Sequence, residues 1–185
     1  MTFDIMRLMI NIALVLGTAR KERCSVWVAK YLTKLFAEHK EAKVTFVDVR
    51  EHMTMSETIP PWGEGGVEQV PTDWRQIAAD ADAFVFVLPE YNRGYPGEWK
   101  LLIDSLYAEY KGKHVYVVGV SNGIFAGVRV ADHVKPVLVE LGLVLHKTAL
   151  NVGLVDKIFN KEGLPEDDKF IERAQAFVDA VSNMK

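Results

Sequence analysis

The chain is poor in the features that mark several classes of protein. It has one cysteine, Cys24, among 185 residues, and therefore forms no internal disulfide, which fits a reducing compartment such as the cytoplasm. Its formal net charge is −3, which gives no general attraction for nucleic acid or for anionic membrane surfaces. No apolar stretch is long enough to cross a membrane. We therefore expect a cytoplasmic protein that binds no nucleic acid and does not insert into membranes.

Other signatures are also missing. The five histidines are scattered along the chain, with no spacing typical of metal ligands. No internal repeat and no low-complexity tract is present. The apolar stretch 8–16 could pass for the core of a signal peptide, but Arg7 is balanced by Asp4 and no clear small-residue cleavage site follows. We interpret this stretch as a buried first strand.

Apolar runs alternate with helical patterns from end to end, and 185 residues favour a single domain over 1–185. The predicted strands are Ile10–Leu16, Val44–Val49, Phe84–Leu88, His114–Val120 and Leu143–Val152. The predicted helices are Ser25–His39, Trp74–Ala81, Gly97–Tyr110, Ala126–Leu141 and Asp167–Met184. Five strands with intervening helices indicate an α/β fold, a parallel sheet covered on both faces as a three-layer sandwich.

One segment interrupts this alternation. Residues 50–72 show no periodicity and contain Pro60-Pro61, Trp62 and Pro71. Loops of about twenty residues are unusual inside a compact domain and are often lids or partner surfaces. A surface excursion with no role is the equally weighted alternative.

The loop after the first strand has the chemistry of a phosphate site. It runs from Gly17 to Ser25 and carries hydroxyl groups at Thr18 and Ser25 and positive charge at Arg20, Lys21 and Arg23. The helix that follows supplies free backbone N–H groups and the positive end of its dipole. The loop lacks both the P-loop signature and the Gly-x-Gly-x-x-Gly turn of dinucleotide-binding folds. The alternative is a solvated basic loop in which Ser25 only caps the helix.

The loop after the third strand is the most informative stretch. Between Leu88 and Lys100 it holds two prolines, two glycines, two tyrosines and an asparagine, at the sheet edge where open α/β folds bind ligands. It resembles the P-E-Y-N-x-G-x-P-G-x-L-K motif of the NADPH-dependent FMN reductases, a family of flavodoxin-like quinone and azo reductases. The matching residues are Pro89, Glu90, Tyr91, Asn92, Gly94, Pro96, Gly97 and Lys100. Trp99 departs from the motif, because the family usually has Leu at that position. Leu101 departs as well, because the family often has Asn there.

The first loop is also similar to the G-S-x-R loop of that family. The resemblance implies a flavodoxin-like sheet of order 2-1-3-4-5, bound FMN, and NADPH or NADH as co-substrate. It also implies hydride transfer to flavin, quinone, azo or similar small-molecule acceptors, and a homodimer or a dimer of dimers with the site near the subunit interface. The residues that would bind the cofactor are Thr18, Arg20, Arg23, Cys24, Ser25, Pro89, Glu90, Tyr91, Asn92, Arg93, Gly94, Ser121, Asn122 and Gly123.

The loop after the fourth strand departs further from the family. It keeps Gly123 and Gly127 of a glycine-rich pattern, but Ile124 and Phe125 are bulkier than the residues usual there. Phe125 would either pack on the edge of the flavin ring or narrow the pocket. An ordinary strand-to-helix turn is the alternative.

Roles for single residues follow from the same resemblance. Tyr91 would form an aromatic wall beside the flavin ring, and Glu90 would point toward the sheet edge or a neighbouring subunit, unless it is a helix-cap or surface carboxylate. Cys24 is either a reactive thiol or a small packed residue. Flavin chemistry asks little of side chains, and we therefore assign no acid–base residue. A nonenzymatic flavin- or nucleotide-binding module is the alternative function, whereas Gly17-Thr18 and Pro89-Glu90 argue against a phospho-receiver, which needs acidic residues there.

Overall fold

The structure, a computed structural model, describes residues 9–52, 61–63, 66, 70 and 72–184. Their five strands form one parallel sheet with the order β2-β1-β3-β4-β5. This confirms the predicted flavodoxin-like α/β fold. The strands are β1 (Ile10–Leu16), β2 (Ala42–Asp48), β3 (Ala83–Pro89), β4 (His114–Val120) and β5 (Val144–Val152). The helices are α1 (Ser25–Ala37), α2 (Thr72–Asp80), α3 (Gly97–Asp104), α4 (Val128–His133), α5 (Lys135–Glu140), α6 (Val155–Ile158) and α7 (Asp168–Ser182), with a 3₁₀ turn at Ala108–Tyr110.

Two separate cores cover the two faces of the sheet. In β3 the side chains of Phe84, Phe86 and Leu88 pack with α2, α3, α4 and α5, while Val85 and Val87 face α1 and α7. Every residue of β3 from Ala83 to Leu88 is buried, since both faces of a doubly covered sheet need apolar side chains. This double burial explains why the strands appear in the sequence as continuous apolar runs.

Two predicted helices are shorter than expected. The predicted helix Ala126–Leu141 is two helices, α4 and α5, because Pro136 in the first turn of α5 has no N–H with which to continue the ladder. The predicted helix Gly97–Tyr110 ends at Asp104, where the Ser105 amide and hydroxyl both donate to the carbonyl of Leu102. The short helix α6 was not predicted.

Parts of two sequence predictions lie outside the described residues. Residues 1–8 precede the described part of the chain, and β1 starts at Ile10 as expected. Much of the 50–72 segment is likewise not described, and its role as a lid or partner surface stays a prediction. In the described part of the chain, no helix is long and apolar enough to span a membrane.

The strand ends fix where three loops begin. The Gly17 amide donates to the Val87 carbonyl at 3.0 Å, the Glu90 amide to Val120 at 2.9 Å, and the Ser121 amide to Val152 at 2.9 Å. Each loop after β1, β3 and β4 therefore starts bonded to a neighbouring strand. The three loops meet at the carboxyl edge of the sheet, beside the β1/β3 position where the strand order reverses.

An irregularity in β5 brings two histidines together. The β4–β5 register jumps between Val115 and Val117, so the β5 segment around His146 bulges from the ladder. His146 stacks on Tyr116 with ring centroids 4.5 Å apart, and its Nε2 lies 2.7 Å from Nδ1 of His114. Burial, and secondly the neighbouring His114, lower the pKa of His146 below 6.5.

The histidine pair predicts a pH dependence of stability. Because the pKa of His146 is lower in the folded protein, the unfolded chain takes up the proton first as the pH falls through about 6.5. The contribution of His146 to the free energy of unfolding is fully present above the pKa of the unfolded chain, about 6.5, and is lost as the pH falls through the lower pKa of the folded protein. We expect the free energy of unfolding to fall less steeply in His146→Gln than in the unsubstituted protein between about pH 7.5 and about pH 5.5, measured by urea denaturation.

His39→Gln is the matched control, since it removes a histidine 2.9 Å from the Asp179 carboxylate and leaves the His114–His146 pair intact. It should not flatten the profile. Equal slopes for His146→Gln and the unsubstituted protein would contradict the assignment.

A close backbone approach holds the loop after β4. A Cβ at Gly119 would lie 2.4 Å from the carbonyl oxygen of Gly127, and this backbone atom cannot swing aside. We expect Gly119→Ala to lower the free energy of unfolding by about 1–3 kcal/mol. Gly123→Ala, in the same loop, is the control, because no atom lies within 4 Å of its ideal Cβ. Similar losses in both variants would show that the close approach is unimportant.

Candidate functional site

The three loops enclose a cavity of about 270 Å³ at the carboxyl edge of the sheet. It is the cavity nearest to the switch between β1 and β3, the usual ligand position in this topology. Its lining comes from all three loops and from the start of α6: Arg20, Glu22, Arg23, Cys24, Ser25, Pro89, Glu90, Tyr91, Val120, Ser121, Asn122 and Val155.

The first loop turns sharply against α3. An ideal Cβ at Gly17 would lie 2.4 Å from the Leu88 side chain and 3.1 Å from Trp99, so any larger residue here would have to displace buried side chains. Trp99, which departs from the family motif, is fully buried beneath this turn. Thr18 is also fully buried, and its hydroxyl lies 2.7 Å from the Tyr91 hydroxyl. The first and second loops are thereby joined at their bases.

The start of α1 is open to an anion. Ser25 is the first helical residue, not the cap, and Cys24 at the N-cap makes no side-chain capping bond. Ser25 is only 3% exposed, and its hydroxyl has no hydrogen-bond partner among the described residues. No acidic residue lies in the first turn. An unpartnered buried hydroxyl at a helix N-terminus is the arrangement that a phosphate oxygen satisfies.

The two arginines of this loop, Arg20 and Arg23, have different partners. The Arg20 guanidinium covers the ring of Tyr91, 3.8 Å from its centroid. Arg23 is 8% exposed and is engaged by the Asp48 carboxylate and by the Thr18 carbonyl. Arg23 borders the cavity, but its charge is already paired. Cys24 is half-buried and packs with the core on the α1 side of the sheet.

The second loop is a tight hairpin. The amides of Tyr91 and Gly94 each donate to the other's carbonyl, at 2.9 and 2.8 Å, and Asn92 and Arg93 both have positive φ, 51° and 68°. This is the geometry of a two-residue primed turn, which Asn tolerates and Arg rarely adopts. The amides of Asn92 and Arg93 at the tip have no acceptor among the described residues.

Glu90 points toward α4 and lies beside the cavity. Its carboxylate accepts from the Arg129 amide at 3.2 Å and from the Arg129 guanidinium at 3.3 Å. The residue therefore joins the second loop to the helix that follows the third. Because the Arg129 amide lies in the first turn of α4, the structure matches the helix-cap alternative of the sequence analysis, and not a carboxylate directed at the sheet edge.

The third loop is held by Ser121, whose hydroxyl accepts from the Gly127 amide at 3.2 Å and donates to the Gly123 carbonyl at 3.0 Å. Ile124 and Phe125 are 77% and 57% exposed and do not line the cavity. Neither side chain narrows the pocket. The Phe125 ring instead lies 4.2 Å from the Arg129 guanidinium carbon.

The structure places most of the predicted site residues in the lining of one cavity, and the others lie in the same loops without lining it. The predicted residues that do not line it are Thr18, Asn92, Arg93, Gly94 and Gly123. Three lining residues were missed: Glu22, Val120 and Val155. Val155 follows the last strand at the same sheet edge, and the strand-end rule that found the other loops would have found it.

Two further features bear on the chemistry. No cluster of three or more potential metal ligands occurs within residues 9–52, 61–63, 66, 70 and 72–184. A larger cavity of about 800 Å³ lies between α4 and β5 and shares Arg129 with the Glu90 contact, but none of the three loops opens into it. The convergence of loops and the orphaned Ser25 hydroxyl favour the smaller cavity as the candidate site.

Comparison with known proteins identifies the family of the chain. Residues 10–155 match the family model of the NADPH-dependent FMN reductases. An NAD(P)H-dependent FMN reductase of Saccharomyces cerevisiae is 30% identical over 173 residues, which cover 85% of this chain and 86% of that protein. A quinone reductase of Pseudomonas putida is 30% identical over 178 residues, 91% of each chain.

A solved structure shows the same fold. The flavoenzyme NAD(P)H:(acceptor) oxidoreductase FerB from Paracoccus denitrificans superimposes with a TM-score of 0.73 at 24% identity, over 95% of this chain and 96% of that one. With the family match, the conclusion is plain: the chain belongs to the NADPH-dependent FMN reductase family.

Proposed function

We propose that this family member, an FMN-dependent NAD(P)H oxidoreductase, holds FMN in the cavity at the ends of β1, β3 and β4. The observation that carries the proposal is the buried, unpartnered hydroxyl of Ser25 at the start of α1. A helix N-terminus with such a hydroxyl and with no acidic residue in its first turn fits a phosphate monoester.

The three loops have different tasks in this proposal. The Ser25 hydroxyl and the first-turn amides hold the phosphate, and Arg20 adds positive charge from the rim. The hairpin at Tyr91–Gly94 presents the free amides of Asn92 and Arg93 to the heteroatoms of the flavin ring. Thr18, hydrogen-bonded to Tyr91, fixes the distance between these two parts.

The other predicted site residues help to fix the course of the three loops. Pro89 and Glu90 set the direction in which the second loop leaves β3, and Gly94 lies near α4, where an ideal Cβ would be 3.3 Å from Nδ1 of His133. Ser121 and Asn122 close the third side, and the Gly123 carbonyl accepts from the Ser121 hydroxyl. Cys24 contributes its backbone at the α1 N-cap, and Arg23 borders the cavity with its charge paired to Asp48.

Bound FMN supplies the redox chemistry, as the carrier of reducing equivalents between NAD(P)H and the final acceptor. The protein's residues bind and orient. None of them needs to donate or remove a proton at a defined atom, and we assign no catalytic side chain. The nonenzymatic binding module is not favoured, because the curated relatives are named as reductases.

Acceptor, assembly and location are finer parts of the proposal. Quinones, azo compounds and flavins are the acceptors we propose, in line with relatives named quinone reductase and FMN-dependent NADPH-azoreductase. A homodimer or dimer of dimers is supported by exposed apolar side chains at Leu101 and Tyr107, with Trp62 against Tyr107. A cytoplasmic location accords with the need for NAD(P)H and with the single cysteine.

The direct test is a visible absorption spectrum of the purified protein before and after FMN addition and desalting. We expect flavin bands that stay with the protein, bleach under anaerobic NAD(P)H and return when a quinone is added. Retained bands that NAD(P)H does not bleach would restore the binding-module alternative. Absence of any retained or titratable FMN would overturn the proposed site.

Ser25→Ala tests the phosphate contact itself. Loss of one hydrogen bond to a charged group costs about 1.5–3 kcal/mol, so we expect FMN affinity to fall at least tenfold. Affinity for riboflavin, which has no phosphate, should stay unchanged, as measured by quenching of flavin fluorescence. Ser182→Ala is the matched control: Ser182 is equally buried and unpartnered but lies in α7, away from the cavity. An unaltered FMN affinity in Ser25→Ala would remove Ser25 from the site.

A further inference from the structure

Three consecutive carbonyls of the first loop are bound by arginine side chains. Arg23 donates to the Thr18 carbonyl. Arg50 donates from Nε to the Ala19 carbonyl at 3.0 Å and from Nη2 to the Arg20 carbonyl. Arg50 does not line the flavin cavity and approaches the loop from the β2 side.

One carboxylate holds both arginines in place. Asp48, the last residue of β2, accepts from both terminal nitrogens of Arg23 and, through Oδ1, from the Arg50 amide at 3.0 Å. The side chains of Arg23 and Asp48 are 6% and 13% exposed. Asp48 lies in register with Leu16, the last residue of β1, so it stands directly beside the start of the loop.

The direction of these carbonyls determines the direction of the amides. In a trans peptide the C=O and the following N–H point to opposite sides. Carbonyls of residues 19 and 20 that face Arg50 therefore turn the amides of Arg20 and Lys21 to the other side. The Arg20 amide binds the Thr18 hydroxyl, and the Lys21 amide has no acceptor among the described residues.

We propose that Arg23, Asp48 and Arg50 are positioning residues that set the affinity of the first loop for the FMN phosphate without touching it. The proposal rests on the proposed function. It gives Arg23 a different task from the phosphate ligand that its place in the loop suggests, because its charge is paired with Asp48 and three of its N–H groups bond to Asp48 and Thr18.

The two roles for Arg23 predict opposite results for Asp48→Asn. If Arg23 bound the phosphate, removal of the neighbouring negative charge would release Arg23 and tighten FMN binding. If the arginines fix the loop, loss of the charged, two-point Arg23–Asp48 contact loosens the carbonyl contacts and weakens FMN binding.

The experiment compares FMN and riboflavin titrations of the flavin-free full chain by fluorescence quenching. For Asp48→Asn we expect the Kd of FMN to rise about tenfold, the size of one charge-assisted hydrogen bond. The Kd of riboflavin should change less than about twofold, since the phosphate subsite alone is affected. Unchanged or tighter FMN binding, or an equal loss for both flavins, would overturn the proposal.

Arg50→Lys gives an independent answer that does not disturb a buried ion pair. The substitution keeps the positive charge of this exposed residue but cannot place two parallel donors on two adjacent carbonyls. We expect the same selective loss of FMN over riboflavin, and a ratio like that of the unsubstituted protein would overturn the proposal even where Asp48→Asn fails to fold. Arg75→Gln is the control, since it breaks an ion pair with Glu109 far from the cavity.

The same titrations separate a failure of the proposed function from a failure of the positioning network. If the unsubstituted protein binds no FMN, the proposed function is wrong. If it binds FMN and either Asp48→Asn or Arg50→Lys keeps the FMN-to-riboflavin affinity ratio of the unsubstituted protein, only the positioning network is wrong.

Discussion

The site depends on hydrogen bonds that continue the parallel ladders one step beyond the strands. Gly17, Glu90 and Ser121 each donate to a carbonyl of the neighbouring strand. Parallel strands place their carboxyl ends at one edge, and these extra bonds fix the points from which the three loops leave that edge. Gly17 lies against Leu88 and Trp99, and Gly119 lies against Gly127, so the loop bases have little freedom to shift. The position of the cavity therefore follows from the sheet, and the side chains of the loops determine its lining.

Charge near the cavity is organised by pairing. Arg23 is matched by Asp48 and Arg129 by Glu90, each pair partly or largely withdrawn from solvent. Buried pairs contribute little net stability but become costly when one partner is lost, so they specify geometry. The attraction for an anion is left to the helix start, its amides and Arg20 at the rim. In the proposed function, such a site would recognise the FMN phosphate by direction as well as by charge, which suits a cofactor that must be held in one orientation.

Sequence reasoning found the strands because their residues are buried on both faces and form continuous apolar runs, as in β3 from Ala83 to Leu88. It found the three loops because strand ends in a parallel sheet share an edge. It could not find the partner of Arg23, since Asp48 lies 25 residues further along the chain and only the β1–β2 register places it there. The bulge at His146 was hidden for the same reason: it depends on pairing with β4, not on the local sequence of β5. The division of one predicted helix at Pro136 was readable in principle, because a proline lacks the donor that an uninterrupted helix needs.

The departures from the family motif have structural explanations that leave the cavity intact. Trp99 lies in the core below Gly17, with its ring 5.5 Å from that of Phe86 and 5.0 Å from that of Tyr95, and fills the space under the first loop. Ile124 and Phe125 are exposed and do not line the cavity, and Phe125 packs with Arg129, the residue that binds Glu90. A bulky residue at a loop tip thus supports the second loop through a chain of two contacts.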